Sequence, residues 1–369
     1  MAVKTKRNML KKGCLIALGI LLVVIIAGYG LIQRRLTQLA PSPTIKESPT
    51  TIIGFNHIGI VVKDLDKMLD FYQQATNFEL ISREKISNNA ATNKLFAHDS
   101  ISYETARLKS PNFLLELTQF DNQTDTIIEK MPPYGPGMTH TCFQTAAIHS
   151  GYEKFVEAGV DLVSRGDEPI DLGGYGVTYA YAHDPEGNMV ELEQMSDFVI
   201  WLKIGTDWAN QHKMWMTQVA IMTPDVERLA GFYQDVLEIT PYRLSEYPAS
   251  EVIAKVIDLD SVSMKGAWFM LDGKEKKMEL FQYKGQHPTP NTLYKRQATE
   301  LGYSFSFEVL DMQKEYQRLR EKGVEFLSEP QQIGNFWMVY AHDIDGNVFS
   351  LRQAINPSFS APNIGGNDE

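Results

Sequence analysis

The stretch HIGIVVKDLD at residues 57–66 is matched by QVAIMTPDVE at 218–227, and a Phe-Tyr pair follows each of them. The second copy begins 161 residues after the first. A further match joins AHDPEGNMVELEQ at 182–194 to AHDIDGNVFSLRQ at 341–353, which lies 159 residues later. Two matches near opposite ends of each half, at almost the same spacing, indicate that the chain is a tandem duplication.

Each half of the chain divides again into two similar units. In the first unit, an apolar run at 55–62 predicts a strand, and apolar residues at helical spacing predict a helix over 64–75. Three runs rich in β-forming residues follow, near 78–85, 102–109 and 112–119. The same order recurs further along the chain. The predicted unit is therefore βαβββ, present four times and twice in each half.

The residues that open and close the first half resemble a known family. The opening HIGIVVKDLDKMLDFYQQ at 57–74, the ending DPEGNMVELEQ at 184–194 and the βαβββ unit are similar to the vicinal oxygen chelate superfamily. This group contains glyoxalases, epimerases, bleomycin-resistance proteins and extradiol dioxygenases. The resemblance implies an α+β fold in which four βαβββ modules form two cupped sheets, each built from a pair of modules.

The domain organisation follows from pairing the modules that are neighbours in sequence. We expect a metal-binding domain over 52–197, a linker over 198–213 and a degenerate domain of the same fold over 214–356. Residues 357–369 are expected to be a disordered tail. The two domains are expected to pair within one chain.

The resemblance also implies a set of metal ligands, one on the first and one on the last strand of each module in a pair. The residues at these positions are His57, Glu116, His140 and Glu191. Two imidazoles and two carboxylates suit a single divalent ion, such as Zn, Ni, Co, Mn or Fe(II). Taken singly, each residue has an ordinary explanation as a half-buried histidine or a water-facing glutamate. Taken together, at equivalent positions of a duplicated module, they predict a metal site.

The second half gives an internal comparison for this site. In the aligned repeat its four equivalent positions are held by Gln218, Glu279, Phe305 and Ser350. One carboxylate and one amide bind a divalent ion weakly, and a phenyl ring fills the space that an imidazole would reach. The sequence therefore predicts that the second domain is metal-free.

The resemblance favours an enzyme that chelates a small oxygenated substrate on the metal ion and moves a proton next to a carbonyl. Glu116 or Glu191 would be the base. The motif GPGMTHTCF at 135–143 is similar to methylmalonyl-CoA epimerases, whereas a glutamate at 116 is typical of glyoxalase I. We therefore expect a lyase or isomerase. An Fe(II) extradiol dioxygenase and a non-catalytic ligand-binding or resistance protein are the alternatives.

The N-terminal segment predicts a membrane anchor. The segment 14–32, CLIALGILLVVIIAGYGLI, contains no charged residue. Its length is sufficient for a transmembrane helix, which we expect over 13–33. The basic residues in 1–12 place that end in the cytoplasm, so the globular part is expected outside it, in the periplasm of a bacterium. A cleaved signal peptide would have a shorter apolar core. Residues 34–51 then form a tether between the lipid bilayer and the globular part.

Charge argues against nucleic acid as a partner. Residues 1–40 carry seven basic and no acidic residues, so the rest of the chain has 28 basic against 46 acidic residues. An acidic surface repels phosphate backbones. A small-molecule substrate is the expected partner.

Overall fold

The structure, a computed structural model, describes residues 49–121, 130–174, 176–271, 275–291 and 295–361. The predicted basic segment (1–12) and transmembrane helix (13–33) lie outside these ranges, together with most of the tether and the last eight residues of the tail. Among the described residues, no helix is long and apolar enough to cross a membrane.

The secondary structure follows the predicted repeat, with short additional elements in the connections. The strands are β1 (Ile52–Val61), β2 (Glu79–Ile86), β3 (Tyr103–Lys109), β4 (Leu114–Phe120), β5 (Gly137–Ala146), β6 (Asp161–Leu162), β7 (Ile170–Asp171), β8 (Val177–His183), β9 (Met189–Met195), β10 (Met214–Met216), β11 (Gln218–Met222), β12 (Arg243–Tyr247), β13 (Ser263–Met270), β14 (Lys277–Lys284), β15 (Gly302–Val309), β16 (Glu325–Phe326), β17 (Gln331–Ile333), β18 (Phe336–His342) and β19 (Val348–Ala354). The α-helices are α1 (Leu65–Thr76), α2 (Ala90–Leu95), α3 (Gly151–Ala158), α4 (Asp197–Lys203), α5 (Thr206–His212), α6 (Val226–Leu237), α7 (Glu251–Val256) and α8 (Met312–Glu321). Two short 3₁₀ helices lie at Ala147–His149 and Pro357–Phe359.

The four modules are the first (β1–β4), second (β5–β9), third (β11–β14) and fourth (β15–β19). The segment 198–213, predicted to be a linker, instead forms most of α4 and all of α5. Aspartates begin the long helices of three modules. Asp64, Asp225 and Asp311 each accept a hydrogen bond at 3.0 Å from the backbone N–H three residues ahead, which satisfies a helix N–H that has no partner within the helix.

The modules do not pair in the order of the sequence, so that expectation is wrong. The first and fourth modules form a nine-stranded sheet with the order β16-β18-β19-β15-β1-β4-β3-β2, where β17 pairs with β18. The second and third modules form a ten-stranded sheet with the order β12-β13-β14-β11-β5-β9-β8-β6, where β10 pairs with β5 and β7 with β8. Each sheet therefore joins strands from both halves, through β1 with β15 and through β5 with β11.

One apolar core serves both sheets. It takes alternate side chains from β4 and β14, such as Leu115, Leu117, Met278 and Leu280, together with the apolar faces of α1, α3, α6 and α8. Because side chains alternate along a strand, the residues between these face the opposite side of each sheet. We call that opposite face, with the smaller apolar cluster that lines it, the cup of the sheet. The alternation therefore places Glu116 and Glu279 in the two cups.

The repeated His-Asp-x-x-Gly-Asn turn ties neighbouring modules together. Asp184 is 3% exposed and accepts hydrogen bonds from the Tyr72 hydroxyl at 2.8 Å and from the backbone and side chain of Asn188 at 2.9 Å. Asp343 makes the same contacts with Tyr233 and Asn347 in the second half. The motif is explained by the fold, since each turn holds the helix of the preceding module.

Replacing Asp184 with alanine is expected to lower the free energy of unfolding by about 3 kcal/mol. The change leaves the buried Tyr72 hydroxyl and the Asn188 amide without their charged acceptor, and each such hydrogen bond contributes about 1.5–3 kcal/mol. Urea denaturation followed by circular dichroism measures the effect. Asp343→Ala is the matched variant and should behave alike; a change below about 1 kcal/mol in both would contradict this role.

Candidate active site

The four predicted ligands do not share one site. His57 and Glu116 lie in the nine-stranded cup, where His57 Nε2 is 3.5 Å from Glu116 Oε1. His140 and Glu191 lie in the ten-stranded cup, where His140 Nε2 is 3.5 Å from Glu191 Oε2. The predicted quartet is wrong as a single site because the first module pairs with the fourth, whereas the second pairs with the third.

Two arginines hold Glu116 in the nine-stranded cup. Arg352 donates from Nη1 and Nη2 to the two carboxylate oxygens at 2.8 and 3.0 Å, and Arg107 donates from Nε at 2.6 Å. All three side chains are buried, with Arg352 only 2% exposed. A fork-to-fork contact of this kind is among the strongest charge-assisted hydrogen bonds. The guanidinium groups therefore neutralise the carboxylate that was predicted to bind a metal.

The electrostatics of this cup agree with that arrangement. Burial alone would raise the pKa of Glu116, but attraction to Arg352, His57 and Arg107 holds it well below its usual range. Burial lowers the pKa of His57 to about 3, so the imidazole is neutral at physiological pH. This argues against the predicted role of Glu116 as a base, because a carboxylate held by two guanidinium groups is a poor proton acceptor.

The structure also changes the comparison between His140 and Phe305. Phe305 packs in the shared core against Phe349 with ring centroids 6.0 Å apart, so it fills no part of either cup. The register of β5 against β11 shifts just before His140, whereas every second residue of β15 from Tyr303 to Val309 faces the core. This irregularity shifts the alignment of β5 with β15 by one residue, so that Ser304 and not Phe305 is equivalent to His140. A side chain on Gly59 would meet Ser304 Oγ, which places Ser304 beside His57 in the nine-stranded cup.

The ten-stranded cup gathers a different set of donors. They are His140 (0% exposed), Gln218 (4%), Glu191 (6%) and Glu279 (8%). Two come from the second module and two from the third. The residue types are a mixed nitrogen and oxygen set, of the kind that divalent first-row metals accept. Gln218 and Glu279 belong to the half that was predicted to be metal-free.

Hydrogen bonds orient three of these donors. The Gln218 amide nitrogen donates to Glu191 Oε2, and its oxygen accepts from Thr217 Oγ1 at 2.8 Å. The Nδ1 atom of His140 lies 2.8 Å from Thr139 Oγ1, which fixes the ring and leaves Nε2 facing the cup. A partner on the second ring nitrogen is usual for a metal-ligating histidine.

Carboxyl groups outnumber the cations in this cup. Burial raises the pKa of Glu191 and of Glu279 to about 7, and in each case Lys277 offsets part of the rise. The charge of Glu191 raises the pKa of Glu279 further, and His140 lowers it. Glu193, also buried, has a pKa raised to about 7 by the same burial. A bound cation would relieve the repulsion among these carboxylates.

In the conformation described, no group of three or more His, Cys, Asp and Glu side chains among the described residues could hold a metal ion. Glu191 instead contacts Gln218 and His140. The donor types fit a divalent ion, and binding would require the carboxylates and the Gln218 amide to turn toward a common point.

Aromatic side chains and a helix surround the donors. Tyr181 lies against His140, with its hydroxyl 3.3 Å from Nε2, and Trp268, Phe281 and Tyr283 belong to the same apolar cluster. The third module supplies α7, which contacts β7 and β8 of the second module. Ser164 Oγ fastens this helix by donating to the Val256 carbonyl at 2.6 Å. The cup is therefore enclosed by both of the modules that form it.

Comparison with known proteins agrees with this architecture. Residues 54–192 and 217–340 each match a family model described as Glyoxalase/Bleomycin resistance protein/Dioxygenase superfamily. An uncharacterized Bacillus subtilis protein, YurT, is 36% identical over 75 residues, which are 20% of this chain and 59% of that protein. The chain thus spans about three fifths of the length of that relative.

A lactoylglutathione lyase from Pseudomonas aeruginosa is 28% identical over 151 residues, which cover 38% of this chain and 82% of the enzyme. The crystal structure of a glyoxalase I variant from Zea mays superposes with a TM-score of 0.50 at 19% identity, over 81% of this chain and 92% of that one. At that identity the likeness shows the fold. The two family matches cover more than half of the chain, which therefore belongs to the glyoxalase/bleomycin resistance protein/dioxygenase superfamily and contains two of its domains.

Proposed function

We propose that the chain is a divalent-metal-dependent lyase or isomerase of the glyoxalase type, with its reaction centre in the ten-stranded cup. The observation that carries the proposal is that an imidazole, an amide and two carboxylates, all buried, lie in the cup of one sheet. The residues that would hold the ion are His140, Glu191, Gln218 and Glu279. When bound, a divalent ion supplies Lewis-acid polarisation of a substrate carbonyl.

The chain's own groups would do the rest of the chemistry. Glu191 or Glu279 would take the proton from the carbon next to the carbonyl, since each is a carboxylate that faces the cup. Tyr181 and Trp268 would exclude water from the substrate, because both belong to the apolar cluster that lines this face. The second carboxylate would remain with the ion.

The donor set favours this chemistry over the alternatives. Extradiol dioxygenases bind Fe(II) through two histidines and one carboxylate, whereas this cup combines one histidine with two glutamates and one glutamine. A non-catalytic binding protein would have no need for two buried carboxylates beside an imidazole, which are costly to bury without a partner.

Location is a separate part of the proposal. The uncharged run at 14–32 and the basic residues before it support a single-pass signal anchor, with the globular part outside the cytoplasm. A C-terminal alkaline phosphatase fusion tests this orientation in a bacterial host. Activity of the fusion supports it, and an inactive but expressed fusion contradicts it.

The proposed reaction is tested by proton exchange in the full chain. In D₂O with added Zn²⁺, Ni²⁺, Co²⁺ or Mn²⁺, we expect deuterium to enter next to the carbonyl of the hemithioacetal formed from methylglyoxal and a small thiol. Glu191→Gln and Glu279→Gln should each slow this exchange by about 100-fold or more. The variant that keeps the metal while losing exchange identifies the base.

His57→Gln is the matched control, because it changes the equivalent strand position in the other cup. Its exchange rate should stay within about two-fold of the unsubstituted chain. Exchange that needs no added metal, or that is lost in His57→Gln and retained in Glu279→Gln, would refute the proposed centre. Consumption of O₂ with catechol and Fe(II) would favour the dioxygenase instead.

A further inference from the structure

The nine-stranded cup contains a cavity of about 240 Å³ that is separate from the proposed metal centre. Its walls combine charge with flat apolar surface, from Arg107, Arg352, Phe96, Phe336, Tyr103 and Tyr340. Strands of both the first and the fourth modules contribute, so that the site exists only where the two halves of the chain meet.

The arginines have hydrogen-bonding capacity that Glu116 does not use. Glu116 accepts from both terminal nitrogens of Arg352, while Arg352 Nε is buried without a hydrogen-bond partner. Arg107 donates to Glu116 through Nε, and its Nη1 lies 3.9 Å from Glu84, whose side chain is half exposed at the rim. Because Arg107 lines the cavity and Glu84 lies beyond hydrogen-bond distance of its Nη1, this guanidinium group would stabilise an acceptor in the cavity.

The charge balance of the cup favours an anion. Glu116 faces two buried guanidinium groups, and the neighbouring His57 is neutral. Lys85 adds a further positive charge at the lining of the cavity, opposite in sign to Glu84 beside it. Among the side chains that line the cavity, two guanidinium groups face the Glu116 carboxylate, and Lys85 balances Glu84. Glu308, which lies outside the lining, is a further carboxyl group attracted to Arg352, and burial raises its pKa. The ten-stranded cup, by contrast, has more carboxyl groups than cations.

The apolar walls indicate a flat body for the ligand. The Arg107 and Arg352 guanidinium carbons lie 4.9 and 5.1 Å from the centroid of the Phe336 ring. The Phe96 and Tyr340 rings, on the same lining, are tilted by 34° with centroids 5.1 Å apart. Since a cavity of roughly 150 Å³ holds benzene, this one has room for an aromatic ring and a carboxylate.

From these features we infer that the nine-stranded cup is a binding site for a small aromatic carboxylate, held by the terminal nitrogens of Arg107, with Arg352 adding positive charge, and packed against Phe336. The two cups then divide their roles by charge. The repeated fold then supplies a cation site in one sheet and an anion site in the other. At equivalent positions of the repeat, the ten-stranded cup has Glu193 and the nine-stranded cup has Arg352.

Calorimetric titration of the full chain with benzoate and 2-naphthoate tests the inference, with benzyl alcohol as the uncharged probe. We expect one carboxylate to bind per chain, at least 10-fold tighter than benzyl alcohol. Arg107→Lys keeps the positive charge and removes the guanidinium donors, and it should weaken binding by at least 10-fold. Thr118→Leu narrows the cavity without altering any charge, and it should do the same while circular dichroism shows the fold intact.

Glu279→Gln is the control in the other cup, and its carboxylate affinity should match that of the unsubstituted chain. This also separates the inference from the proposed function, because metal binding can fail while anion binding persists. Failure of both carboxylates to bind, equal binding of benzyl alcohol, or unchanged affinity in Arg107→Lys and Thr118→Leu would overturn it.

Discussion

The first half of the chain, produced alone as residues 49–197, is expected to form a dimer and no stable monomer. Without the second half, β1 loses its partner β15 and β5 loses its partner β11. Both strands then present open edges, which readily pair with another chain. The second module repeats the fourth, so that the first module of one copy can pair with the second module of another. Analytical ultracentrifugation measures the result.

The matched control is the two halves produced together as separate chains, 49–197 and 198–361. They should associate with one copy of each, because this arrangement restores the pairing of the first module with the fourth. A folded, monomeric first half with native-like circular dichroism would contradict the exchanged pairing of modules.

Replacing Glu116 with glutamine is expected to destabilise the protein by about 3–5 kcal/mol, as when one partner of a buried ion pair is removed. Arg107 and Arg352 would be left in the nine-stranded cup with an amide that cannot balance their charge. Chemical denaturation in the presence of a chelator measures the change in the free energy of unfolding.

The repeat offers a control of opposite sign. Glu279 occupies the corresponding strand position in the ten-stranded cup, where the surplus charge is negative. In the presence of a chelator, Glu279→Gln removes a repelled carboxylate and should leave stability unchanged or raise it by about 1 kcal/mol. Equal destabilisation by both substitutions would contradict the opposite charges assigned to the two cups.

The internal repeat was sufficient to predict the modules, because apolar periodicity is a local property. The strands predicted near 78–85, 102–109 and 112–119 lie within one or two residues of β2, β3 and β4. The pairing of modules was not accessible in the same way. All four modules have the same βαβββ pattern, so local periodicity does not distinguish a partner that is adjacent in sequence from one that is three modules away.

Part of the site is predictable from the residues at the aligned ligand positions of the repeat. Gln218 and Glu279 occupy two of these ligand positions. Grouped with Phe305 and Ser350 of the same half, they form a set that binds a divalent ion only weakly. Arg352 was a missed signal. An arginine directly after the core residues Phe349 and Leu351 of β19 needs a buried partner, and a glutamate in the middle of β4 is such a partner. The register shift in β5 just before His140 is not visible when the two halves are aligned without gaps.

The central claim is that the metal centre is shared between the two halves of the chain, in the ten-stranded cup. Elemental analysis of the purified full chain tests it most directly, with His57→Gln, His140→Ala and Glu279→Gln compared at equal concentrations after equilibration with one divalent metal. We expect one ion per chain in the unsubstituted protein and in His57→Gln, and less than about a tenth of that in the other two. Loss of the ion in His57→Gln together with its retention in Glu279→Gln would contradict the claim.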